Sequence, residues 1–318
     1  MEPARGVRTE EATVLGRGTR VLAGAVILAC AALIGPSAPG GSLFAGTGPA
    51  PDARDAVPNR VMTWNLCNPC DTANTDRAAE IARYAPQVVA LQEACVRDVR
   101  AVRDHLERLH GLDYHVEYGP VLRNWSRCGG APWRPGQYGQ AILSAAPMTD
   151  AVTVEYPDGG SEDRGYTAVT TTVGGRSVRV FNTHLAERRQ EEIRAEQAGA
   201  LASVVARHDR AILLGDLNAV PDAPELSGIW DLAEDVDPHC RPLPAGTCKP
   251  TTDWHSKFDY VFLRGLAPLG HRVQGTPHSD HHLLYADVEV TDPADRADPA
   301  DRADQADRAD RADRADRA

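Results

Sequence analysis

Residues 211–222 read AILLGDLNAVPD, a short aliphatic run followed at once by a glycine and two polar side chains. The length of the run, and the Gly and Pro that follow, predict a buried strand rather than a helix. Gly215 allows a turn at the strand end, where open α/β sheets place their sites. If the chain stays extended, Asp216 and Asn218 project to one side, because strand side chains alternate with period two. Asp and Asn also form ordinary turns, so this stretch alone leaves a structural and a functional interpretation open.

Polar residues of a few types also stand at the ends of, or within, other predicted strands. Asn65 in MTWN, Glu93 in ALQE and His184 in FNTH end strands, Asp259 interrupts the apolar strand KFDYVFL, and Asp280 and His281 in SDHH precede the last strand. Each one alone has an ordinary explanation as a cap, a turn residue or a solvated side chain. Because the same residue types recur at strand ends, we interpret them together as one site.

The two ends of the 318-residue chain differ in composition from the rest. The first 20 residues carry several arginines, and the apolar run 21–35 is shorter than the ~20 residues that span a bilayer. We interpret residues 1–50 as a secretory signal peptide and leader, with a retained membrane anchor as the alternative. Residues 292–318 repeat Asp-Arg-Ala without an apolar face, which predicts a disordered tail. One domain, 51–291, is expected between them.

Six cysteines lie within the expected domain: Cys67, Cys70, Cys95, Cys128, Cys240 and Cys248. An even number behind a signal peptide predicts up to three disulfides. The spacing of Cys67 and Cys70 is also compatible with a redox pair or with half of a zinc site. Cys240 and Cys248 do not supply the matching zinc half, and they are the most plausible local disulfide.

Hydrophobic patterning predicts a mixed α/β fold, because strands and helices alternate irregularly and a hairpin is interposed. The predicted strands are 61–66, 87–92, 138–144, 166–172, 177–183, 211–214, 258–263 and 283–290. The predicted helices are 76–84, 96–109 and 187–208. Two segments rich in Pro, Gly and Cys, 119–137 and 236–257, are expected to be surface loops tied by disulfides.

The ordered set N…QE…NTHL…GDLN…DYVF…SDHH resembles the endonuclease/exonuclease/phosphatase superfamily, which has the deoxyribonuclease I-like fold. The resemblance extends over about residues 60 to 290. It implies a four-layer α/β sandwich, in which two mixed β-sheets pack face to face and are flanked by helices. The residues at the strand ends would then converge on one rim of the sandwich.

The resemblance implies a divalent cation, Mg²⁺ or Mn²⁺, with Ca²⁺ as an alternative. Glu93 would be its main carboxylate ligand, and Asn65 and Asp280 would lie close to it, directly or through water. Oxygen ligands without clustered thiolates suit such ions. The ion would neutralise a phosphate oxygen as charge develops on it.

The resemblance also implies catalytic roles at five positions. Asp216 would orient or deprotonate the attacking water, and Asn218 would hold the phosphoryl oxygens or assist Asp216. His184 and His281 would flank the phosphate, donating hydrogen bonds and transferring protons. Asp259 would fix the tautomer and orientation of His281.

Gln140 and Arg164 fall where the family often has polar residues that contact substrate. The family cleaves nucleic-acid backbones, sphingomyelin, inositol phosphates and nucleotide conjugates with one core, and its specificity depends on loops. Export favours a secreted nuclease acting on DNA, with RNA as an alternative substrate. The formal net charge of −11 argues against tight nonspecific binding of nucleic acid through a broad basic face, though not against turnover.

Two alternatives to a nuclease are kept. A sphingomyelinase-like phosphodiesterase acting on membrane phospholipid would use Trp125 and Trp133 to enter a membrane interface. The same tryptophans could stack on bases, so they do not discriminate between the two substrates. A non-catalytic binding or toxin-subunit module would predict loss of the site residues, and none is missing. We expect a monomer without a protein partner, extracellular unless the apolar segment is retained as an anchor.

Overall fold

The fold is described from a computed structural model, which defines residues 56–68, 70–240 and 247–290. The leader and tail predicted at 1–50 and 292–318 lie outside the described residues. The strands are β1 Val57–Asn65, β2 Pro86–Cys95, β3 His115–Arg123, β4 Gly130–Ala131, β5 Arg134–Pro135, β6 Gln137–Ser144, β7 Thr149–Glu155, β8 Gly165–Val173, β9 Arg176–His184, β10 Ala211–Asp216, β11 Glu234–Asp235, β12 Asp259–Arg264, β13 Ala267–Gln274 and β14 Leu283–Glu289. The helices are α1 Asn74–Tyr84, α2 Val96–His110, α3 Trp125–Cys128, α4 Glu191–Val205 and α5 Ser227–Trp230, with a 3₁₀ turn at Pro224–Leu226.

Twelve strands form two six-stranded sheets, and both sheets are mixed. The first has the order β13-β14-β1-β2-β6-β3, and the second has the order β11-β12-β10-β9-β8-β7. In the first sheet β1 and β2 are parallel, and in the second β9 and β10 are parallel. Their other neighbours run antiparallel, so parallel strands lie at the centre of each sheet.

Three apolar layers explain which faces of the strands carry apolar side chains. Between the sheets lie fully buried aliphatic side chains, among them Val61, Ile142, Val180 and Ile212. The outer face of the first sheet packs on α1 and α2, and the outer face of the second packs on α4 and α5. Helix α2 shows the required pattern, because its buried residues Val99, Val102 and Leu106 recur at helical spacing. The predicted four-layer sandwich of two mixed sheets is confirmed.

A buried polar link joins the two sheets next to the site. The Gln92 side-chain amide donates to Asn182 Oδ1 at 2.8 Å, and the Asn182 amide donates to the carbonyl of Ala141 at 2.8 Å. Buried amides are stable only when bonded in this way, so the pair favours one alignment of the sheets. Because Gln92 precedes Glu93 and Asn182 lies two residues before His184, the link fixes two site residues relative to each other.

The prediction of a surface loop at 119–137 is wrong in part. Strand β3 continues to Arg123, and the rest forms helix α3 and the short β4–β5 ribbon. Strands β7 and β13 were not predicted either, and the predicted helix 187–208 is shorter, at Glu191–Val205. The missed strands β3, β7 and β13 are edge strands, and every residue of β7 is exposed, while β4, β5 and β11 have two residues each. Edge strands are only partly buried, so they lack the continuous aliphatic runs that mark a core strand.

The six cysteines of the domain form three disulfides. Cys240 pairs with Cys248, as expected for the local pair. Cys67 pairs with Cys70, so in this structure the two residues form a disulfide rather than half of a zinc site. Cys95 at the end of β2 pairs with Cys128 of α3. Among the described residues, none of the helices combines the length and apolar character needed to cross a bilayer.

Candidate active site

Strand register brings three predicted site residues side by side in the second sheet. Asp216, the last residue of β10, is in register with His184 on β9 and with Asp259 on β12. The first sheet contributes Asn65 at the end of β1 and Glu93 near the end of β2. The Asn65 side-chain amide donates to Asp216 Oδ2 at 3.1 Å, so the two sheets meet at this rim.

Gly215 is required for the approach of β9 and β10 just before Asp216. Its φ is 144°, and a Cβ built on it would lie 2.1 Å from the carbonyl oxygen of Thr183. No L side chain fits that space or that dihedral without a backbone shift. The glycine of GDLN thus places Asp216 beside His184.

Asp216 occupies the centre of the constellation. Its Oδ1 accepts a hydrogen bond from the Asn218 main-chain N–H at 2.9 Å. Its Oδ2 lies 3.4 Å from His184 Nε2 and 3.7 Å from His281 Nε2. Burial raises the pKa of the Asp216 carboxyl, and the neighbouring charge of His281 opposes that rise. Asp216 is therefore a candidate proton acceptor between the two histidines.

His281 is held as a cation by a buried carboxylate. Its Nδ1 donates to Asp259 Oδ2 at 2.9 Å, and Asp259 is fully buried. Burial lowers the pKa of His281, but the charges of Asp259 and Asp216 outweigh burial and raise it to about 10. The Ser279 hydroxyl accepts the His281 main-chain N–H at 3.0 Å, so the backbone is anchored as well. The orienting role predicted for Asp259 agrees with this contact.

His184 has the opposite environment. Arg164 Nη1 lies 2.8 Å from His184 Nδ1, and a guanidinium can only donate, so Nδ1 is the acceptor. Burial first, and then the charge of Arg164, lower the pKa of His184 well below its usual range. The neutral ring must then carry its proton on Nε2, which faces Asp216. The Asn218 amide nitrogen, 2.9 Å from Nε2, donates instead to the Leu185 carbonyl at 3.0 Å.

Glu93 lies on an irregular turn at the end of β2. The register between β2 and β6 shifts between Leu91 and Ala94, and Glu93 has a φ of 51°. A non-glycine residue in this left-handed region is uncommon, and such strain concentrates at functional sites. The turn directs the Glu93 carboxylate to the rim, where its Oε1 accepts from the Asn65 amide at 3.2 Å.

Three predicted site residues remain, and of these Arg164 bonds His184 directly. A carboxylate oxygen of Asp280 lies within 4.8 Å of both sulfurs of the Cys67–Cys70 disulfide. The Gln140 amide donates to the Gly165 carbonyl at 3.0 Å, and Arg164 Nη2 pairs with Glu162 Oε2 at 3.0 Å. Gln140 and Arg164 are almost fully buried, so in this structure they support the site from within the protein.

Two supporting residues could not be found from the sequence. Asn68 donates its main-chain N–H to Glu93 Oε2 at 3.3 Å, and Glu162 pairs with both Arg164 and Arg127. A main-chain contact leaves no mark on residue type, so nothing in the sequence pointed to Asn68. The charged run SEDR contains Glu162 and Arg164, but it reads equally well as a solvated turn.

The donor set of the rim suits a hard divalent cation. Ligand atoms of Asp216, Asp259 and His281 lie within 4.8 Å of one another, but His281 is held as a cation by Asp259, so the carboxylates are the available ligands. Glu93 adds a partly exposed carboxylate, and Asn65 holds this carboxylate and that of Asp216 through one amide. Carboxylate and amide oxygens are the ligands that Mg²⁺ and Mn²⁺ prefer.

Two mixed sheets that bring Asn, Glu, His and Asp side chains to one rim define a deoxyribonuclease I-like α/β sandwich. The chain belongs to the endonuclease/exonuclease/phosphatase family, whose family model matches residues 62–281. That membership supports a hydrolase acting on phosphoester bonds. No curated protein sequence matches the chain.

Solved structures share the fold at low identity. An endonuclease/exonuclease/phosphatase from Beutenbergia cavernae DSM 12333 is 23% identical, with a TM-score of 0.60, over 73% of this chain and 71% of that chain. D. rerio TDP2, complexed with single strand DNA product, is 17% identical with a TM-score of 0.58, over 72% and 98% of the two chains. The human Nocturnin catalytic domain, with bound sulfate anion, is 22% identical with a TM-score of 0.58, over 74% and 95%. At these identities the likeness establishes the fold alone.

Proposed function

We propose that the chain is a secreted, divalent-metal-dependent phosphodiesterase whose principal substrate is nucleic acid. One observation carries the proposal. The buried Asp216 lies between two histidines whose partners differ, since Asp259 favours the cation of His281 and Arg164 favours neutral His184. Groups whose environments push their pKa values apart are those expected to divide the work of acid and base.

The chain's own residues supply attack and proton transfer. Asp216 accepts the proton of the attacking water, a role suited to a carboxyl whose pKa is raised by burial. His281 donates from Nε2 to the phosphate as a cation, and His184 donates its Nε2–H as a neutral group. Asn218, which also has a left-handed φ of 51°, holds Asp216 through its main-chain N–H.

Glu93 is the residue that would hold the cation, with Asp216 adjacent. Asn65 would lie close to the ion and orient both carboxylates, because its amide donates to each of them. Asp280 is retained as a further ligand by resemblance to the family, through water. When bound, the cation would neutralise charge on a phosphoryl oxygen. The fit rests on the donor set of the rim, where the carboxylates of Glu93 and Asp216 share one amide donor and the described cysteines are all in disulfides.

Nucleic acid is the favoured substrate for two reasons. One protein with this fold, D. rerio TDP2, is complexed with single strand DNA product. Arg127 is exposed on α3 and pairs with Glu162, which also pairs with Arg164 beside His184, so a chain of contacts joins this guanidinium to the site. A guanidinium there could contact a phosphate neighbouring the scissile one.

A phospholipid substrate is the second candidate, and exposed tryptophans favour it. Trp125 is 56% exposed and Trp133 is 87% exposed, both within the 124–136 segment that carries α3 and the β4–β5 ribbon. Exposed indole rings favour a membrane interface, and they also stack on bases.

Export remains part of the proposal. It rests on the arginines and the apolar run before residue 36, and three disulfides are typical of oxidising compartments. Secretion from a bacterial host, followed by mass spectrometry of the released chain, would test it. A chain recovered only in the membrane fraction would favour the retained anchor.

The test of activity is a metal-dependent turnover screen. The oxidatively folded chain is offered supercoiled plasmid, single-stranded RNA and sphingomyelin vesicles with Mg²⁺, Mn²⁺ or a chelator. We expect metal-dependent plasmid nicking, reduced about 10²- to 10⁴-fold by His281→Ala, because proton-transfer groups contribute on this scale. His282→Ala is the matched control, since His282 pairs with the exposed Asp253 rather than with the site.

The other outcomes discriminate between the alternatives. Vesicle hydrolysis with intact plasmid would show that phospholipid, and not nucleic acid, is the substrate. Turnover that is equal with chelator and with metal would contradict the metal-dependent proposal. No turnover of any substrate would favour a small phosphoester or a non-catalytic binding module.

A further inference from the structure

A short disulfide loop follows β1 immediately and touches the candidate cation site. We call the described residues Cys67, Asn68 and Cys70 the disulfide loop; its ends are joined by the Cys67–Cys70 bond. The Cys67 N–H donates to Asn65 Oδ1 at 2.9 Å, and Cys67 has a left-handed φ of 48°. The loop therefore begins by fixing the orientation of the Asn65 amide, leaving the Asn65 nitrogen to face Glu93.

The same loop contacts the carboxylate of Glu93. The Asn68 N–H donates to Glu93 Oε2 at 3.3 Å, while Asn65 Nδ2 donates to Glu93 Oε1 at 3.2 Å. Each carboxylate oxygen of Glu93 thus has one donor, and the loop orients both donors. The Glu93 side chain keeps partial exposure, so lone pairs of both oxygens remain available toward the rim.

A second disulfide supports the loop from the other side. The Asn68 side-chain amide lies 3.0 Å from the Sγ of Cys95, which is bonded to Cys128. Cys95 follows Glu93 by two residues on the same strand end. A carboxylate oxygen of Asp280 approaches both sulfurs of the loop within 4.8 Å. The loop therefore bonds one predicted cation ligand, Glu93, and lies beside another, Asp280.

We infer that the disulfide loop is a positioning element for the cation ligand Glu93, and that Asn68 is the positioning residue within it. The inference rests on the proposed metal-dependent function. Partners in the outer shell of a metal site hold the ligand in its binding orientation, and losing one typically weakens metal affinity 10- to 100-fold. The disulfide restricts the loop, so the Asn68 N–H stays directed at Glu93 without a cost in ordering when the cation binds.

The test is Mn²⁺ binding to the full chain, measured by calorimetry and by the rise in melting temperature that Mn²⁺ causes. We expect Cys67→Ser/Cys70→Ser to raise the Mn²⁺ dissociation constant by about 10-fold or more. The matched control is Cys240→Ser/Cys248→Ser, which removes another short-range disulfide, closing eight residues rather than three. This control should leave the dissociation constant unchanged.

A second variant guards against a failure to fold. Asn68→Ala keeps the main-chain donor to Glu93 but removes the amide that contacts Cys95, and we expect a smaller, several-fold loss of Mn²⁺ affinity. Wild-type affinity in both Asn68→Ala and the Cys67/Cys70 variant would overturn the inference alone. Equal loss in the Cys240/Cys248 control would also overturn it, because the effect would then be global. Absence of Mn²⁺ binding by the wild-type chain would overturn the proposed function together with the inference.

Discussion

The two histidines beside Asp216 show how a partner residue sets the chemistry of a side chain. His281 faces the carboxylate of Asp259 and is held as a cation, whereas His184 faces the guanidinium of Arg164 and is held neutral. Both rings are almost fully buried, so burial disfavours the charged form of each. The sign of the partner's charge therefore decides the difference between them.

Replacing Arg164 should release His184 from its neutral form. In Arg164→Met we expect the pKa of His184 to rise, because the charge that adds to the effect of burial is removed. Histidine ring ¹⁵N shifts, followed against pH, report both the titration and the tautomer, and wild type should show the proton on Nε2. Arg123→Met, at an exposed arginine at the end of β3, is the control. A wild-type titration in Arg164→Met would contradict the pairing.

The pairing of His281 with Asp259 predicts how stability depends on pH. The pKa of His281 is raised to about 10 in the folded chain, above its usual value of about 6.5 in an unfolded one. Its stabilisation is thus complete below about pH 6.5 and is lost as the pH rises toward 10, by up to about 1.4 kcal/mol per pH unit. Urea unfolding of wild type and Asp259→Asn between pH 6 and 9.5 measures this. Parallel curves for the two proteins would refute it.

At the scale of elements, burial decided what the sequence could predict. All eight predicted strands exist, because strands such as β10 bury aliphatic residues between conspicuous turn signals. The edge strands β3, β7 and β13 were missed, since their pairing depends on backbone bonds to a neighbour and little on their own side chains. The hairpin between β8 and β9 was predictable because Gly174 and Gly175 have the positive φ that its turn requires.

The residues of the candidate site could be predicted from the sequence, but the contacts around them could not. Residues such as Asp216 and His184 were predictable because they follow apolar runs that a strand pattern places on one edge. The environments of those residues were not predictable. That Arg164 points inward to His184, and that Asn68 donates a main-chain N–H to Glu93, depends on how loops fold back over the rim.

The two strands at the centre of the second sheet depend on Gly215. We expect Gly215→Ala to destabilise the chain by more than about 1 kcal/mol and to lower turnover, since its Cβ would collide with the backbone of Thr183 and displace Asp216. Gly199→Ala is the matched substitution. Gly199 is exposed within α4 with open space around it, so alanine there should stabilise by about 0.5–1 kcal/mol. Thermal unfolding separates them, and equal effects would contradict this account of the strand end.

At the scale of the whole molecule, the site depends on strands from the end of the chain. β12 belongs to the second sheet and β14 to the first, and each brings a site residue to the rim. β12 brings Asp259 beside Asp216, and His281 immediately precedes β14, which pairs with β1. Asn65 at the end of β1 then touches Asp216 across the interface. Residues more than 200 positions apart in sequence thus form one rim, and the candidate site exists only once both sheets have formed.

We expect residues 51–291 to fold and turn over substrate as the full chain does, because every strand, helix and core cluster described lies between Ala56 and Val290. The contrasting truncation is 51–282, which removes β14 and its buried Leu283, Leu284 and Val288. At about 1.5–3 kcal/mol for each of these side chains, the loss approaches a typical total stability of about 5–15 kcal/mol. Thermal unfolding and plasmid nicking of both truncations are the measurements. Aggregation or inactivity of 51–291 would mean that residues outside it are needed for the fold or the site, whereas cooperative unfolding of 51–282 would show that the first sheet tolerates the loss of β14.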